Sequence, residues 1–366
     1  MTAVASRSYL PTPLHARTAE LCTTNSWSEE CGFTVPALYT STREEQGALV
    51  SRVALCDLSA RQCWSVQGPD AAAFLSTATV SDVQNLELGQ TTRTAWCDDQ
   101  GFLRGDGSIA RLGKTEFELW TTVRDFAWFM DAAVGFDVKL ANATGMRAVI
   151  GIRGPLTPNV LAASGLSGEP LGSGQVVRPD WRPAQITVMR EASGDGVDLA
   201  MQADDGVVVW DRLWRAGAAF GVAAIGAQTL DDRRLENAIP KARTDWIPAQ
   251  FARSSADLRV PIDLGFAPDA TRRFNGAAAL RAIKPPRPQV LVQFASDEPL
   301  APGPVTLRGI LVGSLTSQAW LPSRACTMAL AWVDPDAVKT ATKFGAPGST
   351  GPVRAEIVKQ VYASAS

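Results

Sequence analysis

Histidine is nearly missing from this chain: His15 is the only one in 366 residues. A Ser-His-Asp triad would have to run through that single imidazole, and a site with two or three histidine ligands cannot be built. Cysteine is also scarce. The six thiols at 22, 31, 56, 63, 97 and 326 form no C-x-x-C pair, so zinc and redox spacings are absent, and several that sit in apolar runs read as core residues. No apolar run approaches the ~18 residues of a membrane span, and Met1 to Arg7 leads into no long apolar stretch. The expectation is a cytoplasmic protein without membrane association. A net charge of -2 gives no global reason to expect a nucleic-acid partner. Walker, dinucleotide-binding and serine-elbow motifs are missing as well, and no metal site is expected. Chemistry must therefore rest on carboxylates, arginines, backbone groups or a bound cofactor.

What is present is a repeated phrase. Trp64-Ser65-Val66-Gln67-Gly68-Pro69 is echoed by Val149-Ile150-Gly151-Ile152-Arg153-Gly154-Pro155, and each is followed by a short stretch ending in apolar residues. An apolar strand, a glycine that frees the turn and a proline at the first helical position predict a strand–turn–helix unit. Two such units predict two related lobes, and the length allows two or three domains.

Patterning predicts a helix over 41–55 and strands over 91–96, 102–112 and 117–121. A helix over 123–134, strands over 136–140 and 147–152, and a hairpin of 186–190 with 197–201 follow. Helices are predicted over 206–217, 227–237 and 274–283. Residues 284–288, Lys-Pro-Pro-Arg-Pro, read as a linker. Beyond it, strands over 289–294, 305–314, 326–333 and 353–362 predict a small antiparallel barrel or sandwich.

Four places carry candidate chemistry. Asp106, in Gly105-Asp106-Gly107, reads as a turn carboxylate that either reaches a ligand or makes an Asx-turn. Asp195 and Asp198 flank a hairpin and either bind the donor groups of a heterocycle or simply occupy a turn and an exposed strand position. Arg234 near Glu236 either meets a carboxylate ligand bidentately or belongs to a solvated helix face. Of the tryptophans, Trp64, Trp120 and Trp214 read as core or as the wall of a flat ligand site.

The order of phrases resembles the folate-dependent aminomethyltransferase superfamily, which includes the glycine cleavage T-protein, the folate lobe of sarcosine and dimethylglycine oxidases, and folate-dependent demethylases. Gly32 to Tyr39 is similar to that family's G-W-x-M-P-V-x-Y opening. Leu55-Cys56-Asp57-Leu58-Ser59 resembles L-F-D-V-S, and Asp106-Gly107-Ser108-Ile109-Ala110-Arg111-Leu112 resembles D-D-G-V-V-A-R-L with Gly105 in place of the first carboxylate. Ser193 to Leu199 resembles T-G-E-x-G-Y-E-L with one residue missing, and Arg234-Leu235-Glu236 keeps R-L-E. The K-G and G-x-D expected after R-L-E are not seen; residues 237–246 occupy that place. Gly313-Ser314-Leu315-Thr316-Ser317 resembles G-x-V-T-S.

The resemblance implies an α+β, three-domain cloverleaf of the T-protein type with a C-terminal antiparallel β-barrel domain. Residues 1–50 and 136–262 would form the folate-binding lobe, 51–135 a second related lobe, 263–288 a connection and 289–366 the barrel. It implies tetrahydrofolate as cofactor and transfer of a one-carbon unit from a small methylated or amine donor to N5. Asp106 would be catalytic, Asp195 or Asp198 would bind the pterin, and Arg234, Tyr39 and Trp120 would complete the cofactor site. An oxidoreductase or carrier-protein partner is compatible with it. The alternatives are an O- or S-demethylase giving 5-methyltetrahydrofolate, and a non-catalytic folate-binding partner subunit of an oxidoreductase.

Overall fold

The computed structural model describes residues 9–166, 171–182, 184–190, 196–269, 271–283, 287–348 and 351–362. The repeated phrase forms the predicted unit twice. Strand Gln62–Gln67 passes through Gly68-Pro69 into helix Ala71–Ala78, and strand Arg147–Arg153 passes through Gly154-Pro155 into helix Thr157–Ala163. Both glycines have positive φ, 138° and 101°. A Cβ at Gly68 would lie 2.4 Å from the Asp137 carbonyl, and one at Gly154 would lie 2.7 Å from that of Arg52. Glycine is needed for the conformation and for the close approach alike.

Each unit sits in its own sheet. The larger sheet has six strands in the order Gln175–Val177, Thr187–Arg190, Gly196–Gln202, Arg147–Arg153, Val53–Asp57 and Val222–Ala224, with only the last pair parallel. The smaller has five antiparallel strands in the order Thr91–Cys97, Leu103–Arg111, Glu116–Thr121, Gln62–Gln67 and Lys139–Asn142. Aromatic side chains fill the smaller lobe, where Trp64, Phe74, Trp96 and Phe129 are essentially sealed from solvent. Trp210 and Leu213 anchor the core of the larger one. The third unit is a closed barrel of six strands, ordered Val290–Ser296, Cys326–Val333, Ile310–Leu321, Gly303–Leu307, Lys343–Pro347 and Pro352–Gln360. This is the α+β cloverleaf with a C-terminal antiparallel barrel that the resemblance implies.

Several elements differ from expectation. The helix predicted over 41–55 stops at Ser51, because Val53–Asp57 is a strand buried at all five positions. Such a continuous apolar run carries no strand period to read. That strand joins the larger sheet, and Lys139–Asn142 joins the smaller, so the sheets divide the chain a few residues away from the expected lobe limits. The strand expected over 305–314 is a hairpin, turning at Arg308-Gly309 with φ of 53° and 81°. Ser26–Glu30 and Phe33–Leu38 form an unpredicted hairpin around Cys31-Gly32. Lys284 to Pro286 of the linker lie outside the described residues. Among the described residues, no helix is long and apolar enough to cross a membrane, and no group of His, Cys, Asp and Glu is arranged to hold a metal ion.

Candidate active site

A cavity of about 340 Å³ opens where the Phe33–Leu38 hairpin strand, the ends of both main sheets, helix Ala227–Glu236 and the irregular strap 238–246 meet. That volume lies within the ~300–1,000 Å³ of small-molecule sites. Tyr39, Asp106, Trp120 and Arg234 all line it. Residues far apart in sequence thus converge.

Asp106 is not in a turn. It lies in the middle of strand Leu103–Arg111, opposite Ala95, and is half-buried. The flanking glycines mislead because they serve packing. A Cβ at Gly107 would lie 2.4 Å from the Trp120 carbonyl, and one at Gly105 would lie 2.1 Å from the Trp96 ring. The Trp96 indole donates to Asp125 at 2.9 Å, and Asp125 also accepts Arg104 at 2.7 and 3.0 Å.

Tyr39 follows the hairpin and is held by Glu45. The wholly buried Glu45 carboxylate accepts the backbone N–H of Tyr39 at 2.6 Å, that of Gly226 at 2.8 Å and the Thr229 hydroxyl at 2.6 Å. One carboxylate thereby ties the hairpin to the start of helix Ala227–Glu236. Tyr39 Oη and Trp120 Nε1 are both buried and have no acceptor among the described residues. An unpaired buried donor costs about 1–3 kcal/mol.

Arg234 is fixed on three sides. Its Nε donates to Asp231 at 2.7 Å, and its Nη1 donates to Asp245 at 2.6 Å and to the Ile239 carbonyl at 3.1 Å. Glu236, the expected neighbour, is instead held by Arg233 and by Arg324. On a helix, Arg234 reaches back one turn to Asp231, not forward two residues to Glu236.

Asp198 is set back from the cavity. It lies on strand Gly196–Gln202 between Arg153 Nη2 at 2.6 Å and Arg61 Nη1 at 2.9 Å. Burial pushes its carboxyl up, but the two guanidinium groups outweigh that and hold it below the ordinary carboxylate range. Arg61, not Asp198, lines the cavity. The reading of Asp198 as an exposed strand residue is corrected: it is 5 % exposed. Asp195 lies outside the described residues.

Residues 14–262 match the family described as GCVT N-terminal domain. The chain belongs to the folate-dependent aminomethyltransferase family of the glycine cleavage T-protein. It is 28% identical over 338 residues to an aminomethyltransferase of Streptomyces coelicolor, covering 87% of each chain. It is also 28% identical over 349 residues to an aminomethyltransferase of Corynebacterium aurimucosum, covering 89% of this chain and 90% of that one. Among solved structures, the glycine cleavage system aminomethyltransferase T of Bartonella henselae superimposes with a TM-score of 0.85 at 22% identity, over 97% of this chain and 98% of that one. This last likeness concerns the fold.

Within this aminomethyltransferase family member, two acids escaped the sequence reading. Asp57, in the Leu55–Ser59 phrase, lines the cavity and accepts from Thr12 at 2.6 Å and from the Ser59 N–H at 2.9 Å. Burial pushes its carboxyl above the ordinary range, and these two bonds oppose the shift. Asp245 was hidden because the expected G-x-D pattern lacks its glycine. Arg243 stands there with a left-handed backbone, φ 67°, so Arg243-Thr244-Asp245 makes the turn without glycine. Lys241, on the same strap, reaches Glu30 of the hairpin at 2.9 Å across the cavity.

Proposed function

We propose that this protein is a tetrahydrofolate-dependent one-carbon transferase of the aminomethyltransferase type, and that the cavity holding Asp106 is where transfer occurs. The convergence of Tyr39, Asp106, Trp120 and Arg234 on one ligand-sized space carries the reading. A flat heterocycle rich in acceptors suits the walls, since Tyr39 Oη and Trp120 Nε1 lack acceptors and Val35, Leu58 and Ile225 supply apolar surface. Bound there, tetrahydrofolate would supply the nucleophilic nitrogen for the transfer.

The chain's task is then positional and electrostatic. Asp106, on a sheet strand and so held rigidly, offers a carboxylate to the donor carbon or heteroatom where positive charge develops. Arg234 orders the strap and presents a guanidinium that its two carboxylate partners keep in one place. Arg61 lines the cavity with Asp198 behind it, so Asp198 supports the cofactor site through Arg61. The donor is a small methylated or amine compound, delivered free or by a carrier-protein or oxidoreductase partner.

Titration calorimetry with reduced folate tests the assignment: binding is expected, and its absence overturns the reading. Product analysis by mass then separates methylene transfer from demethylation. One observation favours a second reading, a folate-binding partner subunit without turnover. Trp96 fills the space where the family's first carboxylate would stand. That reading requires folate affinity with no product under any donor.

A further inference from the structure

None of the described residues lining the cavity comes from the C-terminal barrel. The barrel nevertheless touches what holds the cavity together. Asp245 is the link. Its side chain is wholly buried, and one oxygen accepts the Arg234 guanidinium at 2.6 Å and the Lys241 N–H at 2.8 Å. The other accepts the hydroxyls of Thr316, at 2.6 Å, and Ser317, both on barrel strand Ile310–Leu321. The Asp245 carbonyl accepts the indole N–H of Trp332 from strand Cys326–Val333.

The two anchors of Arg234 are unequal. Asp231 has a side chain 35% exposed, whereas that of Asp245 is 0% exposed and receives four donors. An exposed carboxylate moves with its partner, while a buried and fully bonded one defines a fixed point. The strap itself is costly to hold, since Ala238 and Arg243 take left-handed backbone at φ 59° and 67° without being glycine. It carries Ile239, Pro240, Lys241 and Ala242 into the cavity wall.

We infer that Asp245 is a positioning residue, through which Thr316 and Ser317 of the barrel set Arg234 and the strap for cofactor binding. This rests on the reading of the cavity as a folate site. The barrel is therefore part of the active site without lining it, and its two hydroxyls act by satisfying the second oxygen of a carboxylate whose first oxygen orders the wall.

The test changes only the barrel. In Thr316→Val/Ser317→Ala, reduced-folate affinity should fall about tenfold, within the range for residues that act on a site without touching its ligand. Val305→Ala, in the barrel's own core, serves as the stability control: it should lower Tm and leave affinity unchanged. If the double variant is too unstable to handle, Ser317→Ala alone should weaken affinity by a smaller factor. A double variant that loses Tm like Val305→Ala yet binds folate as the parent does overturns the inference and leaves the folate reading intact. A parent protein that binds no reduced folate overturns that reading and the coupling with it.

Discussion

Trp96 stands in the space that a side chain at position 105 would need, 2.1 Å from where its Cβ would fall. The indole is fully buried, and its N–H is committed to Asp125. The loss of the family's first carboxylate is thus built into the packing. Gly105→Asp should cost about 3 kcal/mol or more, because it adds both an overpacked side chain and a buried charge. Thermal melts check this, and a stable Gly105→Asp with raised turnover would show that the vacancy is only a surface substitution.

On the proposed reading, Asp106 carries the charge-stabilising task. Asp106→Asn keeps the strand and the side-chain volume, so folding and folate affinity should change little. Turnover should fall about 10²-fold, the usual loss when a preorganised electrostatic group is removed. Single-turnover kinetics with saturating folate separate this from a binding effect. Unchanged turnover removes the proposed role.

Asp232 gives the molecule a pH-dependent joint. It lies on helix Ala227–Glu236 and accepts from Gln46 Nε2 of helix Thr42–Ser51 at 2.8 Å. Burial pushes its carboxyl up to about 6; Gln46 opposes this, Asp231 and Glu45 add to it, and Arg234 opposes it. An upward shift means the folded state holds its proton more tightly than the unfolded chain, whose carboxyl titrates near ~3.9. The resulting stability is complete below about pH 4 and is lost as pH rises through about 6. Asp232→Asn should flatten that slope and be the more stable protein above pH 6. Urea melts across the range decide it, and an unaltered slope in the variant would contradict the assignment.

Elements whose cause is local were legible in the sequence. The two Gly-Pro units, the Gly206–Gly217 helix and the barrel's existence follow from apolar period and turn chemistry. Asp106, Arg234 and Tyr39 lie in phrases that keep their order, Trp120 stands out only as a tryptophan, and the fold brings all four to one cavity. Features set by contacts between distant segments were not legible. Asp106 was misread as a turn because Gly105 and Gly107 answer to Trp96 and Trp120, which lie on neighbouring strands. The burial of Asp198 was not legible because Arg153, on the neighbouring strand, and Arg61, in the connection before strand Gln62–Gln67, are brought to it from distant segments. Asp245 was not legible because Arg243, two residues before it, takes a left-handed backbone without being glycine.

That backbone angle makes its own prediction. An arginine at φ 67° pays about 1–2 kcal/mol for a conformation that glycine adopts freely. The Arg243 guanidinium lies 4.2 Å over the Phe251 ring, which recovers part of that cost. Arg243→Gly should raise stability by about 0.5–1 kcal/mol, read as a higher Tm. A clear loss would mean the stacking on Phe251 outweighs the strain.

Tyr39 offers a test of the proposed cofactor site both with and without ligand. Its ring is 2% exposed, and its hydroxyl finds no acceptor, while burial and the nearby Asp57 push it above the ordinary phenol range. A phenol kept protonated and unpaired is a donor held in reserve. Tyr39→Phe removes an unsatisfied buried group and keeps the ring, which belongs to the buried core of the larger lobe. Without ligand the variant should therefore match the parent or gain up to about 1 kcal/mol. With reduced folate it should bind about tenfold more weakly, since the ligand's acceptor then loses its partner. Melts with and without folate give both numbers from one protein. A loss of stability without ligand would mean that the hydroxyl already has a partner. An unchanged affinity would mean that the acceptor it awaits is not on the cofactor.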